Sequence, residues 1–188
     1  MRETFNIVYT GPHGLANGLE LIIEAAAELS KREDAKHLRI ILIGEGTDKK
    51  SLQEKVRGLG LSNVIFRNPL PKRELYSISS EADAFIAVVH DSPLYKYGVS
   101  YNKFFDYLAM ARPTLVASSA RNNPIAEAGA GITVPPNDAG ALARAMVELS
   151  QLPVQVCWEI GLRGREYVEE HYSFEKLAGK LEAVFEKV

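Results

Sequence analysis

Lys103 and Asp106 stand three residues apart in the run Lys96-Tyr97-Gly98-Val99-Ser100-Tyr101-Asn102-Lys103-Phe104-Phe105-Asp106-Tyr107-Leu108-Ala109-Met110-Ala111-Arg112-Pro113. A glycine and small polar residues open this run before an apolar, helix-spaced segment, so it reads as a helix whose first turn holds the lysine. A helix N-terminus already carries roughly half a positive charge, and a cation there weakens the helix unless an anion sits opposite. The free backbone N–H groups of such an end bind anions readily. The spacing of three puts Lys103 and Asp106 on one helix face. One cation, one carboxylate and a set of unpaired amides suit a nucleoside diphosphate and its ribose hydroxyls. An ordinary surface lysine–aspartate pair is the other reading of the same residues.

The rest of the chain has to supply a frame for that face. Its 188 residues suffice for one domain with a sizeable core. A hydrophobic fraction of 46% and a charged fraction of 24% are those of a globular protein. A net charge of −2 gives no electrostatic case for nucleic acid or for an anionic membrane surface. The single cysteine, Cys157, excludes an internal disulfide and a cysteine-cluster metal site, which fits a reducing, cytoplasmic compartment. No apolar run approaches membrane-spanning length, and the N-terminus has no signal-peptide pattern. The chain enters a strand almost at once, as though it begins at a domain boundary.

Short β-rich runs alternate with helical ones. Strands are expected at 5–10, 38–43, 64–66, 84–89, 114–117 and 132–134. The runs LRIILI and AFIAVV are apolar throughout, as in strands buried on both faces. Helices are expected at about 19–30 (with Leu19, Ile22, Ile23 and Ala26 inward), at 47–58, 71–82, 124–128 and 139–149, and in the 96–113 run. Asp138 is placed to cap the helix at 139–149. The remainder from about 154 is helical, with a break at His171-Tyr172-Ser173 where Ser173 can cap the last helix. This pattern predicts a doubly wound, Rossmann-like α/β domain: a parallel sheet of about six strands, helices on both faces and a helical C-terminal tail. Residues 1–152 are expected to form the Rossmann-like domain, and 153–188 a C-terminal helical extension of the same domain. Ligands of such sheets sit beyond the carboxyl ends of the strands. Three of those ends carry glycine or small polar residues, at 11–14, 44–46 and 90–100, and are expected to converge on one crevice.

Several chemistries are absent. Gly44-Glu45-Gly46 lacks the third glycine of a dinucleotide fingerprint and follows the second strand, not the first. There is no Walker sequence and no G-x-S-x-G elbow. His13, His37, His90 and His171 are scattered without ligand spacing, so no metal site is expected. His37 and His171 read as solvated surface residues, and Trp158 and Phe174 as packing residues of the helical tail.

In order and spacing, the motifs resemble a known family. They are Tyr9-Thr10-Gly11, Asn17-Gly18-Leu19-Glu20, Ile43-Gly44-Glu45-Gly46, Asn63-Val64-Ile65-Phe66, Ser80-Glu81-Ala82-Asp83, the run from Tyr97 to Tyr107, and Ala128-Gly129-Ala130-Gly131-Ile132-Thr133-Val134-Pro135-Pro136. Over nearly its whole length the chain resembles the C-terminal, donor-binding domain of a GT-B glycosyltransferase of retaining family 4, and more closely the bacterial polysaccharide and O-antigen branch. The resemblance implies a nucleotide-sugar donor, with a UDP-sugar favoured, a glycan or lipid-linked acceptor, and retention of configuration. It also implies a separate N-terminal acceptor domain, missing here, and peripheral membrane association of the full-length protein at the inner face. It assigns the diphosphate to Gly11, Gly14, Gly98, Val99, Ser100, Tyr101, Asn102 and Lys103, and the ribose to Asp106. Lys103 and Asp106 are the candidate catalytic pair, and the base region is Gly44, Phe66, Arg67 and Asn68. No cofactor or metal is implied if Lys103 and the helix end neutralise the phosphates.

The departures are as specific as the matches. Family members commonly place an Arg just after the first Gly and a Lys before the first helix; those positions here are Pro12 and Asn17, and neither carries charge. Of the family's two glutamates flanking a seven-residue spacer, the second corresponds to Asp106, and the first has no carboxylate equivalent near 96–98. The competing hypothesis is a non-catalytic, flavodoxin-like binding module. A receiver of that type would need an acidic cluster at the first strand end, and 11–14 has none.

Overall fold

The computed structural model describes residues 3–91, 93–98 and 101–186. Six strands, β1 (Phe5–Thr10), β2 (Leu38–Ile43), β3 (Val64–Arg67), β4 (Ala84–Val88), β5 (Thr114–Ala117) and β6 (Gly131–Val134), form one sheet in the order β3-β2-β1-β4-β5-β6. Every neighbouring pair is parallel. β1 runs alongside β2 for its full length, from Phe5 opposite Leu38 to Thr10 opposite Ile43. The chain builds outward from β1 through β2 and β3, then returns to the other side of β1 as β4. The carboxyl ends of β1 and β4 therefore flank the point where strand order reverses, the usual place for a ligand crevice.

Alternating side chains of the strands enter two cores. Ile7, Ile40, Ile86 and Leu115 face α1 (Leu19–Ser30) and α5 (Ala139–Gln151), whose Ile22, Ile23, Leu142 and Met146 are fully buried against them. Val8, Ile41, Phe85 and Val116 face the other way, onto Phe104, Tyr107 and Leu108 of α3 (Asn102–Ala109). The Phe85 and Tyr107 rings stack at 4.5 Å. Each such side chain contributes about 1.5–3 kcal/mol when fully buried, so α3 is anchored firmly and its first turn has a defined place at the sheet edge.

The remaining helices are α2 (Lys49–Gly58), α4 (Pro124–Glu127), α6 (Val154–Tyr172) and α7 (Phe174–Phe185). Asp138 caps α5 by accepting from the Ala141 amide at 2.7 Å, and Ser173 caps α7 by accepting from Lys176 at 3.4 Å, as expected from sequence. α6 lies along α3, with Gly164 admitting Leu108 where a Cβ would collide.

Two expectations are corrected. The segment expected as an α-helix at 71–82 is a 3-10 helix over Lys72–Ser80. The hydroxyls of Ser77, Ser79 and Ser80 each donate to the carbonyl three residues earlier, at 2.6–2.7 Å. These local bonds compete with the α-helical ladder and favour the tighter winding. Trp158 and Phe174, expected to pack within the tail, are 49% and 95% exposed. α7 buries no residue and contacts chiefly α6, so nothing among the described residues covers its apolar face. No helix among the described residues is long and apolar enough to cross a membrane.

Candidate functional site

The carboxyl end of β1 leads into a short loop, Gly11-Pro12-His13-Gly14, held against the end of β2. The Gly11 amide donates to Ile43 O at 3.0 Å, and the His13 amide to Glu45 O at 2.7 Å. The approach demands glycine: Gly44 has φ +154°, and a Cβ there would overlap the Gly11 carbonyl. Lys49, the first residue of α2, reaches back to this corner. Its Nζ donates to Gly44 O at 2.9 Å and to Arg67 O at 3.3 Å and pairs with Glu45, tying the ends of β2 and β3 together.

α3 brings its first turn to the same corner from the opposite face of the sheet. Lys103 Nζ donates to Asn17 Oδ1 at 2.8 Å and to Tyr9 Oη at 3.0 Å. It also lies 4.5 Å from the centroid of the Tyr9 ring and 5.7 Å from that of Tyr101, within cation–π range. No ion pair joins Lys103 to a carboxylate among the described residues. Burial without a counter-ion disfavours the ammonium form and pulls its pKa down to about 8. The Tyr9 phenol is pushed far above its ordinary value, first by burial and then by Tyr107 and Tyr101, so it keeps its proton and donates to Pro12 O at 2.8 Å.

Lys103 and Asp106 open onto one cleft of about 480 Å³, together with Gly11, Gly44, Glu45 and Asn102, and with Pro69 and Leu70 on one wall. The shared helix face expected from their spacing is thus turned to the crevice. Gly14 does not line this cleft; with His90 it lines an adjacent cavity of about 440 Å³. The three strand ends expected to share one crevice are therefore divided between two. Gly98 packs instead toward Asn122, whose Oδ1 would meet a Cβ there at 3.0 Å. Phe66 and Arg67, expected near the base, are not among the residues that line the cleft: Phe66 meets the His13 ring edge-on at 5.9 Å, and the Arg67 guanidinium pairs with Glu81 at 2.7 Å. Asn68 is exposed next to the lining residue Pro69. Tyr101 is the N-cap residue of α3 and makes no side-chain cap bond. Val99 and Ser100, expected to offer phosphate-binding amides, lie outside the described residues. No cluster of three His, Cys, Asp or Glu side chains forms a metal site among the described residues.

Three contributors went unrecognised in the sequence. Tyr9 alternates with Ile7 into the core, and only its hydroxyl emerges to meet Lys103. Lys49 looks like any surface lysine of a polar helix, yet its side chain is 12% exposed. His13 is fully buried, and neither ring nitrogen has a hydrogen-bond partner among the described residues. Its pKa is lowered, chiefly by burial and then by Lys49, with Glu45 opposing. The glycines at 11, 14, 44 and 46 were the available signal, since they mark where backbone closes over a side chain.

A doubly wound parallel sheet with a cleft beyond the carboxyl ends of its strands, lined by one lysine and two carboxylates, defines a Rossmann-like domain. The family model for "Glycosyl transferases group 1" matches residues 4–151, and the chain belongs to that family. The D-inositol 3-phosphate glycosyltransferase of Corynebacterium aurimucosum is 28% identical over 147 residues, covering 74% of this chain and 31% of that protein. Among solved structures, a mutant of S. aureus TarM in complex with Fondaparinux, alpha-GlcNAc-glycerol and UDP superposes with a TM-score of 0.82 at 15% identity, over 98% of this chain and 36% of that one. The C-terminal domain of the group 1 family protein LpcC from Francisella tularensis superposes with a TM-score of 0.72 at 21% identity, over 90% of this chain and 87% of that one. At those identities the likeness to solved structures is one of fold. The chain spans about a third of the length of the curated relative and of TarM.

Proposed function

We propose that this chain is the donor-binding domain of a retaining, family 4 glycosyltransferase of the bacterial polysaccharide branch, taking a sugar from a nucleotide sugar, UDP-linked by preference. The observation that carries this reading is that Lys103 and Asp106 open onto one cleft beyond the carboxyl ends of β1 and β2. Lys103 and the amides at the start of α3 face the diphosphate, and Asp106 accepts from the ribose hydroxyls. The base lies toward Gly44 and the segment after β3, where Pro69 and Leu70 offer apolar surface. Chemistry of this kind needs positioning and stabilisation of the departing diphosphate, and a desolvated ammonium with helix-end amides supplies both. The UDP in the TarM structure supports the choice of nucleotide.

The acceptor, a glycan or a lipid-linked glycan at the inner membrane face, is bound by an N-terminal domain of the full-length enzyme. Support comes from the share of its relatives that the chain spans, and from the uncovered apolar face of α7, where Phe174, Leu177, Leu181 and Phe185 recur at helical spacing. Calorimetry of the chain with UDP, GDP and ADP tests the reading: one diphosphate is expected to bind clearly tighter than the others. No binding of any of them overturns it.

A further inference from the structure

We propose that Tyr9 and Asn17 are positioning residues that hold Lys103 as an uncompensated cation for the donor diphosphate, a role that rests on the donor-site reading above. Both partners of Nζ are neutral. The Tyr9 hydroxyl spends its own proton on Pro12 O, so toward Lys103 it can only accept. Asn17 likewise presents its amide oxygen. Among the described residues two of the three ammonium N–H bonds are thereby directed, and the third has no acceptor. Gly11 keeps the approach open: a Cβ there would come to 3.4 Å from Nζ and 3.0 Å from Tyr9 Oη.

The alternative partner would have been a carboxylate, and its absence decides the behaviour of the site. A carboxylate at position 17 would neutralise Lys103 and compete with phosphate for it, whereas an amide orients the ammonium and leaves its charge unspent. The charged groups that share the cleft are Asp106, one turn along α3, and Glu45 from the end of β2, which is engaged by Lys49. The phenols facing Nζ are Tyr9 and Tyr101, and burial holds both in the protonated form. Position 17 sits at the end of a 3-10 turn, Leu15–Asn17, directly before α1. The device therefore joins the first loop of the fold to the helix on the far side of the sheet.

The test uses the 188-residue chain, with UDP and uridine as probes, titrated by calorimetry between about pH 7 and about pH 10. The phosphate contact requires protonated Lys103, so UDP affinity in the unaltered chain is expected to fall as pH rises through about 8, and by more than uridine affinity, whose base ionises equally in both ligands. Asn17→Asp supplies a counter-ion: UDP binding at neutral pH should weaken by roughly tenfold, and the fall with pH should move to higher pH. Asn17→Leu removes the acceptor without adding charge, and the fall should move to lower pH. A lysine-selective NMR titration of Lys103 without ligand should show the same opposite displacements. Binding of UDP with a pH profile that neither variant moves overturns the positioning role alone. Failure of the unaltered chain to bind UDP, GDP or ADP overturns the donor-site reading and this role with it. A variant that is unfolded by circular dichroism is read through its counterpart, since each predicts its own direction.

Discussion

The Tyr107 hydroxyl accepts a hydrogen bond from the Thr10 amide at 2.9 Å, joining the middle of α3 to the last residue of β1. Thr10 Oγ1 and the Thr10 carbonyl lie 3.3 and 3.2 Å from the same oxygen. Burial pushes the phenol up to about 12, so it stays protonated at physiological pH. Lys103 sits one turn before this clamp and Gly11 one residue after it, so the clamp sets their relative position.

Tyr107→Phe keeps the ring stacked on Phe85 but leaves the Thr10 amide without its acceptor in a buried place. A loss of about 1–3 kcal/mol is expected in urea unfolding, the usual effect of stranding a buried donor. Unchanged stability would show that the clamp is incidental.

Lys103→Ala removes the cation from the cleft. Nucleoside diphosphate binding should weaken about ten- to a hundredfold, as for a charged hydrogen bond of roughly 1.5–3 kcal/mol, and nucleoside binding much less. Equal weakening of UDP and uridine in calorimetry would remove Lys103 from the phosphate site.

Asp106→Asn keeps the shape and alters the acceptor. Binding of ribonucleotides should fall relative to 2′-deoxyribonucleotides, with stability within about 0.5 kcal/mol of the unaltered chain. A large drop in the melting temperature would instead make Asp106 a structural residue of α3.

His13 predicts a pH dependence of stability. Its folded-state pKa lies below the ordinary histidine value of about 6.5, so the unfolded chain binds the proton more readily. Stability is then full above about 6.5 and declines as pH falls through that value toward the lower, folded-state one. Urea midpoints at pH 7.5 and pH 5.5 should differ in this direction, by less in His13→Gln. A decline of the same size in both proteins would assign the effect to other groups.

The isolated chain should bind donor without making product. Positioning two reactants together supplies on the order of 7–11 kcal/mol in favourable cases, and one domain positions only one of them. Incubation with UDP-sugars and candidate acceptors should give at most slow hydrolysis. Robust formation of extended acceptor by this polypeptide would refute the two-domain reading.

Much of this protein is written in its sequence. Unbroken apolar runs such as LRIILI can be satisfied only by strands covered on both faces, and helical spacing of Leu19, Ile22 and Ile23 fixes which side of α1 turns inward. Hence the six strands, their parallel arrangement and the caps at Asp138 and Ser173 could be read in advance. The Lys103–Asp106 face was legible too, because a spacing of three is a local property of a helix. What lay across the sheet was not. Tyr9 belongs to the core by its alternation, Asn17 to a 3-10 turn and Lys103 to a helix on the opposite face, and they meet only where three chain segments end at one edge. The burial of His13 is decided in the same way, by glycines from two loops closing over it. Local pattern specifies each element's inner face, whereas the environment of a polar atom at the sheet edge depends on contacts between residues 86 or 94 positions apart, which only tertiary packing can set.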